Sequence, residues 1–341
     1  MNEVVARWRR LADGNPVVMF VDACLRGISQ VMFQNNPVSG ALILVAIAVA
    51  AFSTGNGQVL GGALLGVAVG TVTAWLLHVD DSSLRSGQFG FSPLLTGIGV
   101  ATFLDGNVAM WFYLILGAAG TTVVTLALNR IFKKYGLTAF TFPFVLTTWV
   151  LLMAAYQFSH LRLDTGNPPG LPGERAETVS VLGANVAPAI SKGVSQVFLA
   201  DSWIAGLIIL VALLINNRWA AIWALIGSAV ATFVAIGFGV AETPLEKGLY
   251  GFNAVLTAIA IGSVFYRPSW RVAVYTVAGV VLTLFVGEAL TTVLTPLGIP
   301  VLTGPFNIAT WLLLLPQRRF APVPNHEPIH KSIFSAPHES D

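Results

Sequence analysis

The sequence predicts an all-α integral membrane protein, with ten transmembrane helices plus two re-entrant half-helices arranged as two inverted five-span repeats. Three observations carry that prediction. The chain is 55% hydrophobic and only 10% charged, whereas soluble chains carry about a quarter charged residues. So few charges cannot cover a surface facing water, and the bilayer is the natural solvent. Apolar runs of spanning length recur ten times. Finally, three motifs of the first half return in the second.

A crossing helix needs about 20 mostly apolar residues. The runs that approach this are 37–53, 57–78, 84–104, 107–128 and 139–157, then 203–216, 219–240, 244–265, 270–294 and 300–316. Segments 16–33 and 182–199 are apolar but interrupted by Arg26 and Lys192. They are expected to enter the membrane without crossing it. Placing Arg7, Arg9 and Arg10 in the cytoplasm sends Arg130, Lys133 and Lys134, then Arg218, Arg267 and Arg271, then Arg318 and Arg319, to the same side. That asymmetry satisfies the positive-inside rule. The polar linker falls outside. The expected organisation is therefore a first repeat over 1–157, an extracytoplasmic linker over 158–181, a second repeat over 182–316 and a disordered cytoplasmic tail over 317–341. Both termini are cytoplasmic in a multi-pass protein of the cell inner membrane. No cleavable leader is expected, because MNEVVARWRRLADGN is polar and the next apolar run lacks a small-residue cleavage site.

The repeats are specific. "RGISQVMF" at Arg26 returns as "KGVSQVFL" at Lys192, "GFSPLLTGIGVATF" at Gly90 as "GFNAVLTAIAIGSVF" at Gly251, and "FTFPFVLTTWVLL" at Phe140 as "LTGPFNIATWLLL" at Leu302. Five spans per half is an odd number, so the second half must be inverted relative to the first. Folds of that kind place a substrate path near the midplane, lined by interrupted helices. The recurring residues pair as Gln30 with Gln196, Phe91 with Phe252, Leu95 with Leu256 and Thr141 with Thr303. None is charged. A half-helix ending within the membrane leaves its last carbonyls without intrahelical partners. Those oxygens, extended by Gln and Thr, suit a donor-rich neutral guest, and Phe and Leu walls restrict it to something flat. A lone Gln or Thr in such a helix commonly serves only as glue between helices. Recurrence of polar and aromatic positions together is what a symmetric pathway needs.

Other classes are excluded by what is missing. A net charge of +2 without a basic run gives no footprint for nucleic acid. One cysteine, Cys24, rules out an internal disulfide framework. There is no phosphate-binding loop, catalytic triad or metal cluster, so neither enzyme activity nor a cofactor is expected. Glu288 is the one acid near the interior of a span, and it has no counterpart in the other half. Paired coupling carboxylates are therefore lacking, which leaves passive conduction.

"LRGISQVMFQNNPVSG", "GLYGFNAVL" and the paired "TxPF" segments strongly resemble the urea transporter family, bacterial and vertebrate, from about Leu25 to Leu315. The resemblance implies a homotrimer in membrane lipid with one pore per subunit, and channel-like facilitated diffusion of urea. It places Gln30, Val31 and Phe33 on the first pore half-helix, and Gln196, Val197 and Leu199 on the second. Phe91 with Leu95 and Phe252 with Leu256 supply the slot walls, and Thr141 and Thr303 the narrow middle. Ser92 and Pro93 stand where the second half has Asn253 and Ala254, which bears on the geometry near Phe91. Leu199 stands opposite Phe33, which bears on the balance between the two mouths. Two rival classes stay open: a channel for another small neutral solute (water, ammonia or a short amide), and an ion-coupled secondary transporter.

Overall fold

A computed structural model describes Trp8, residues 10–164 and residues 186–318. The expected linker is therefore described only to residue 164 and the expected tail only to residue 318. Among the described residues every regular element is helical, and the only β pairing is an isolated bridge between Leu104 and Leu163. The order in the first half is α1 (Pro16–Gln30), α2 (Pro37–Ser53), α3 (Gln58–Leu76), α4 (Asp81–Arg85), α5 (Phe91–Phe103), α6 (Val108–Lys133) and α7 (Phe142–Ala155). Next come α8 (Val186–Ser195), a 3₁₀ turn Gln196–Phe198, α9 (Trp203–Asn216), α10 (Arg218–Phe238) and α11 (Glu242–Glu246). α12 (Phe252–Ile259) runs into a π-turn Ala260–Phe265, followed by α13 (Trp270–Leu294) and α14 (Gly304–Leu314).

Local chemistry sets the helix starts. Asn15 and Asn36 each turn a side-chain oxygen onto the backbone N–H groups two and three residues on, with Pro16 and Pro37 at the first helical position. Proline loses nothing there, since that N–H has no intrahelical partner. Asn107, Ser202, Asn217 and Ser269 cap α6, α9, α10 and α13 in the same way.

Every expected span contains a helix, but the lengths differ. α3, α6, α10 and Trp270–Leu297 are long and apolar enough to cross a bilayer unaided, and the bent pair Val186–Phe198 with Trp203–Asn216 makes a fifth candidate. α5 has 13 residues and covers about 20 Å of the roughly 30 Å hydrocarbon thickness. Spans 84–104 and 244–265 were expected to be continuous; each is instead broken before its main helix. Gly87 and Gly248, both at positive φ, make those breaks. A Cβ on either would overlap the backbone nitrogen of Gly27 or Gly193. The chain opens there so that α1 and α8 can approach, and hydrophobicity alone does not reveal it.

Packing joins the halves directly. The Ser39 hydroxyl donates to Ala212 O at 2.7 Å, tying α2 to α9. Asn216 Nδ2 donates to Gln34 Oε1 at 2.6 Å. One buried cluster runs through both halves and includes Ile28, Met32, Leu94, Phe144, Phe198, Val255 and Phe306. Phe52, Trp75, Phe112, Leu116, Phe233 and Trp270 are exposed on the outside. An outer shell this apolar is stable only against lipid. The protein is an all-helical integral membrane protein.

Candidate functional site

The two glutamines occupy matching places. α1 stops at Gln30, whose Nε2 donates to Ser86 O at 3.0 Å, and Gln196 Nε2 donates to Lys247 O at 2.9 Å. Each amide thus spends a donor on the broken approach to the next main helix. Neither Oε1 has a partner among the described residues.

Beyond the glutamines the helices end in a closed turn. Phe33 N donates to Gln30 O at 3.0 Å and Gln34 N to Ser29 O at 3.0 Å; Leu199 N donates to Gln196 O and Ala200 N to Ser195 O. The recurring serine locks this turn. Ser29 Oγ lies 2.6 Å from Gln34 O, and Ser195 Oγ lies 2.6 Å from Ala200 O. Two expectations are corrected here. The terminal carbonyls are not left as a free row, because the turn caps those of Ser29, Gln30, Ser195 and Gln196. Val31 and Phe33 lie past the end of α1, and Gln196 and Val197 sit in a 3₁₀ turn with Leu199 beyond it. Phe33 and Leu199 take φ of 60° and 53°, a left-handed state that helix C-termini usually give to glycine.

That backbone aims Phe33 at a ring cluster. Its ring meets those of Phe140, Phe265 and Phe306 edge-on, with centroids 6.1, 6.3 and 6.1 Å away. At Leu199 the corresponding space is open. A cavity of 580 Å³ there is lined by Gln196, Leu199, Phe252, Asn253 and Leu302, with Glu288 on its rim. Leu95 and Leu256 are buried at the first turn of α5 and α12, beyond half-buried Phe91 and buried Phe252; Val31 and Val197 are buried as well.

The halves meet at Thr141 and Thr303. Both are buried, and their hydroxyl oxygens lie 2.7 Å apart across 162 residues of sequence. Each residue caps a helix whose second position is proline. A third polar group joins them. Asn307 Nδ2 donates to Thr141 Oγ1 at 3.1 Å and to Thr303 O at 2.7 Å. Asn253 is equally committed, donating to Leu302 O at 3.0 Å and accepting from Phe306 N at 3.1 Å. Ser92, at the matching place in α5, has a buried hydroxyl with no partner. Asn253 and Asn307 are absent from the paired set because the first half has Ser92 and Val145 at those positions. A search for recurrence passes over them.

Thr141 and Thr303 thus join the two halves inside a helical membrane core, and Gln30 and Gln196 stand at the ends of two interrupted helices. The family model described as urea transporter (UT) matches residues 21–318 of this chain. The chain belongs to the urea transporter family. Curated relatives include "Urea transporter 1" of Ovis aries, 33% identical over 315 residues, covering 91% of this chain and 80% of the sheep protein. The Rattus norvegicus and Mus musculus proteins of that name are 31% and 30% identical over 318 residues, with the same coverage. The urea transporter family is one of membrane transporters, not enzymes.

Proposed function

We propose that the protein conducts urea passively through a path between its two halves. The observation that carries this reading is the buried Thr141–Thr303 contact, where the two halves of the repeat bring matching hydroxyls together; Gln30 and Gln196 are read as the polar groups on either side of it. Urea is flat and neutral, with four N–H donors and one carbonyl. Stripping its water costs several kcal/mol unless partners replace it. Gln and Thr oxygens replace the water, and Phe91, Leu95, Phe252 and Leu256 form flat walls that deny a hydrated ion any ligand. Val31, Phe33, Val197 and Leu199 border the two mouths. The names of the relatives point to the same solute.

In this reading ten helices cross the membrane as two inverted repeats over 1–157 and 182–316, and α1 and α8 are the re-entrant half-helices. Contacts at the two ends of α3 support that arrangement. Asp13 and Arg85 form an ion pair 3.1 Å long beyond one end. At the other end Gln58 Nε2 donates to Leu104 O at 3.2 Å, and nearby Asn107 Nδ2 donates to His160 O at 2.9 Å. Asp13 and His160 thus lie toward opposite ends of α3, and in this reading both termini are cytoplasmic in the cell inner membrane. The assembly is a homotrimer in lipid with a path in each subunit. Stopped-flow flux in proteoliposomes tests the proposal. Urea should equilibrate faster than in empty vesicles, and equal fluxes would refute it. Water, ammonia and acetamide assayed beside urea separate it from a general small-solute channel.

A further inference from the structure

We infer that Asn307 is a positioning residue, which polarises the threonine pair so that one hydroxyl hydrogen is held ready for the carbonyl of the passing solute. The inference rests on the urea reading above and specifies how its narrowest point works.

The orientation of the amide follows from its neighbours. One end of the Asn307 side chain lies 2.7 Å from Thr303 O, which can only accept, so that end must be the NH₂ group. The same nitrogen lies 3.1 Å from Thr141 Oγ1 and donates to it. Thr141 and Thr303 then share one hydrogen over 2.7 Å, where either could be the donor. The bond received from the amide breaks that tie. A hydroxyl that accepts a bond becomes the better donor, because chained hydrogen bonds polarise one another. The chain therefore runs from Asn307 N–H to the Thr141 hydroxyl and on to the Thr303 hydroxyl. The hydrogen of Thr303 is left over, and it has no acceptor among the described residues. Urea needs a donor there for its one carbonyl, and in a flat slot it cannot turn to find one elsewhere.

Packing alone does not account for the amide. Asn307 is wholly buried, yet its Oδ1 has no partner, a deficit that destabilises the fold. The matching residue of α7, Val145, is just as buried. Its backbone is placed alike: Val145 N donates to Thr141 O at 3.1 Å, and Asn307 N to Thr303 O at 3.2 Å. Valine therefore fits this position, and only the polarity of the pair differs between the halves.

The test uses the full-length protein in proteoliposomes, with urea and water fluxes both divided by folded protein. Asn307→Val should fold at least as stably as the parent and slow urea about threefold to tenfold. Water flux through the same protein should fall less than about twofold, since water is donor and acceptor at once and can reorient. The swap Val145→Asn with Asn307→Val returns an amide to the mirrored place and should restore most of the urea flux. Unchanged urea flux in Asn307→Val overturns the inference, as does a swap that folds without recovery. Equal slowing of urea and water makes the residue a determinant of width instead. Loss of folded protein in both variants makes it a packing residue. Each of these leaves the urea reading standing if the parent conducts urea. A parent without urea flux overturns both.

Discussion

The hydroxyls of Thr141 and Thr303 are bonded to each other, and a passing solute meets the hydrogen that this bond leaves over. Thr→Val keeps the shape and removes one oxygen. A buried donor left unpaired costs roughly 1–3 kcal/mol, and each 1.36 kcal/mol on a barrier is about tenfold in rate. Thr141→Val and Thr303→Val should each slow urea roughly fivefold to a hundredfold with the fold intact. A double variant conducting at the parent rate would remove both residues from the path. A second expectation concerns Ser92 and Asn253, which share a place in the repeat but not a role. Ser92→Ala deletes a partnerless hydroxyl and should leave thermal stability equal or higher. Asn253→Ala strands Leu302 O and Phe306 N and should lower stability by about 2–3 kcal/mol. Equal effects would contradict this assignment. The same residues mark what could be read from sequence. Gln30, Gln196, Thr141 and Thr303 were visible because they recur. Asn253 and Asn307 act by differing from their counterparts, so recurrence could not find them.

Helices α2 and α9 reach the half-helices through single glycines at matching positions. A Cβ on Gly40 would overlap Leu25 O, and one on Gly206 would overlap Ser191 O. Both obstacles are backbone and cannot rotate away. Gly40→Ala or Gly206→Ala should therefore cost about 3 kcal/mol or more, seen as lost monodisperse protein on size-exclusion chromatography. Gly120, inside α6 with open space around it, is the control, and Gly120→Ala should gain about 0.5–1 kcal/mol. The glutamines at the ends of the half-helices test function in the same elements. Gln30→Leu and Gln196→Leu should each reduce urea flux per folded protein, whereas simple helix glue would reduce the folded protein and leave its flux normal. Helix positions were legible from hydrophobic runs, since an apolar stretch facing lipid or core needs no further signal. The breaks at Gly87 and Gly248 were not, because the close approach of α1 and α8 that requires them is set by tertiary packing, which a count of apolar runs does not register. The left-handed ends at Phe33 and Leu199 escaped notice for a related reason: tertiary packing holds a conformation that the residue type disfavours.

At the scale of the whole molecule the question is where charge lies, and among the described residues the charges on the half-helices are paired. On the half-helices Asp22 bonds Arg26 at 2.6 Å and Lys192 bonds Asp201 at 2.8 Å. Glu288 borders the cavity at the Leu199 mouth, but the matching residue on α6 is Leu126. A coupled transporter must bind its ion in one state and release it in another, and intramembrane carboxylates or their equivalent ordinarily serve that step. One carboxylate at one mouth cannot do so symmetrically, and the middle of the path is neutral. Urea should therefore move only downhill. In proteoliposomes, collapsing imposed proton and sodium gradients with ionophores should leave the initial urea flux unchanged, and internal urea should rise to the external concentration and no further. Glu288→Gln sharpens the test. If Glu288 only lines the mouth, the variant changes the entry rate at most, and its flux stays indifferent to both gradients. Accumulation of urea above the external level in the parent, abolished by Glu288→Gln, would make this glutamate a coupling site and the protein a secondary transporter.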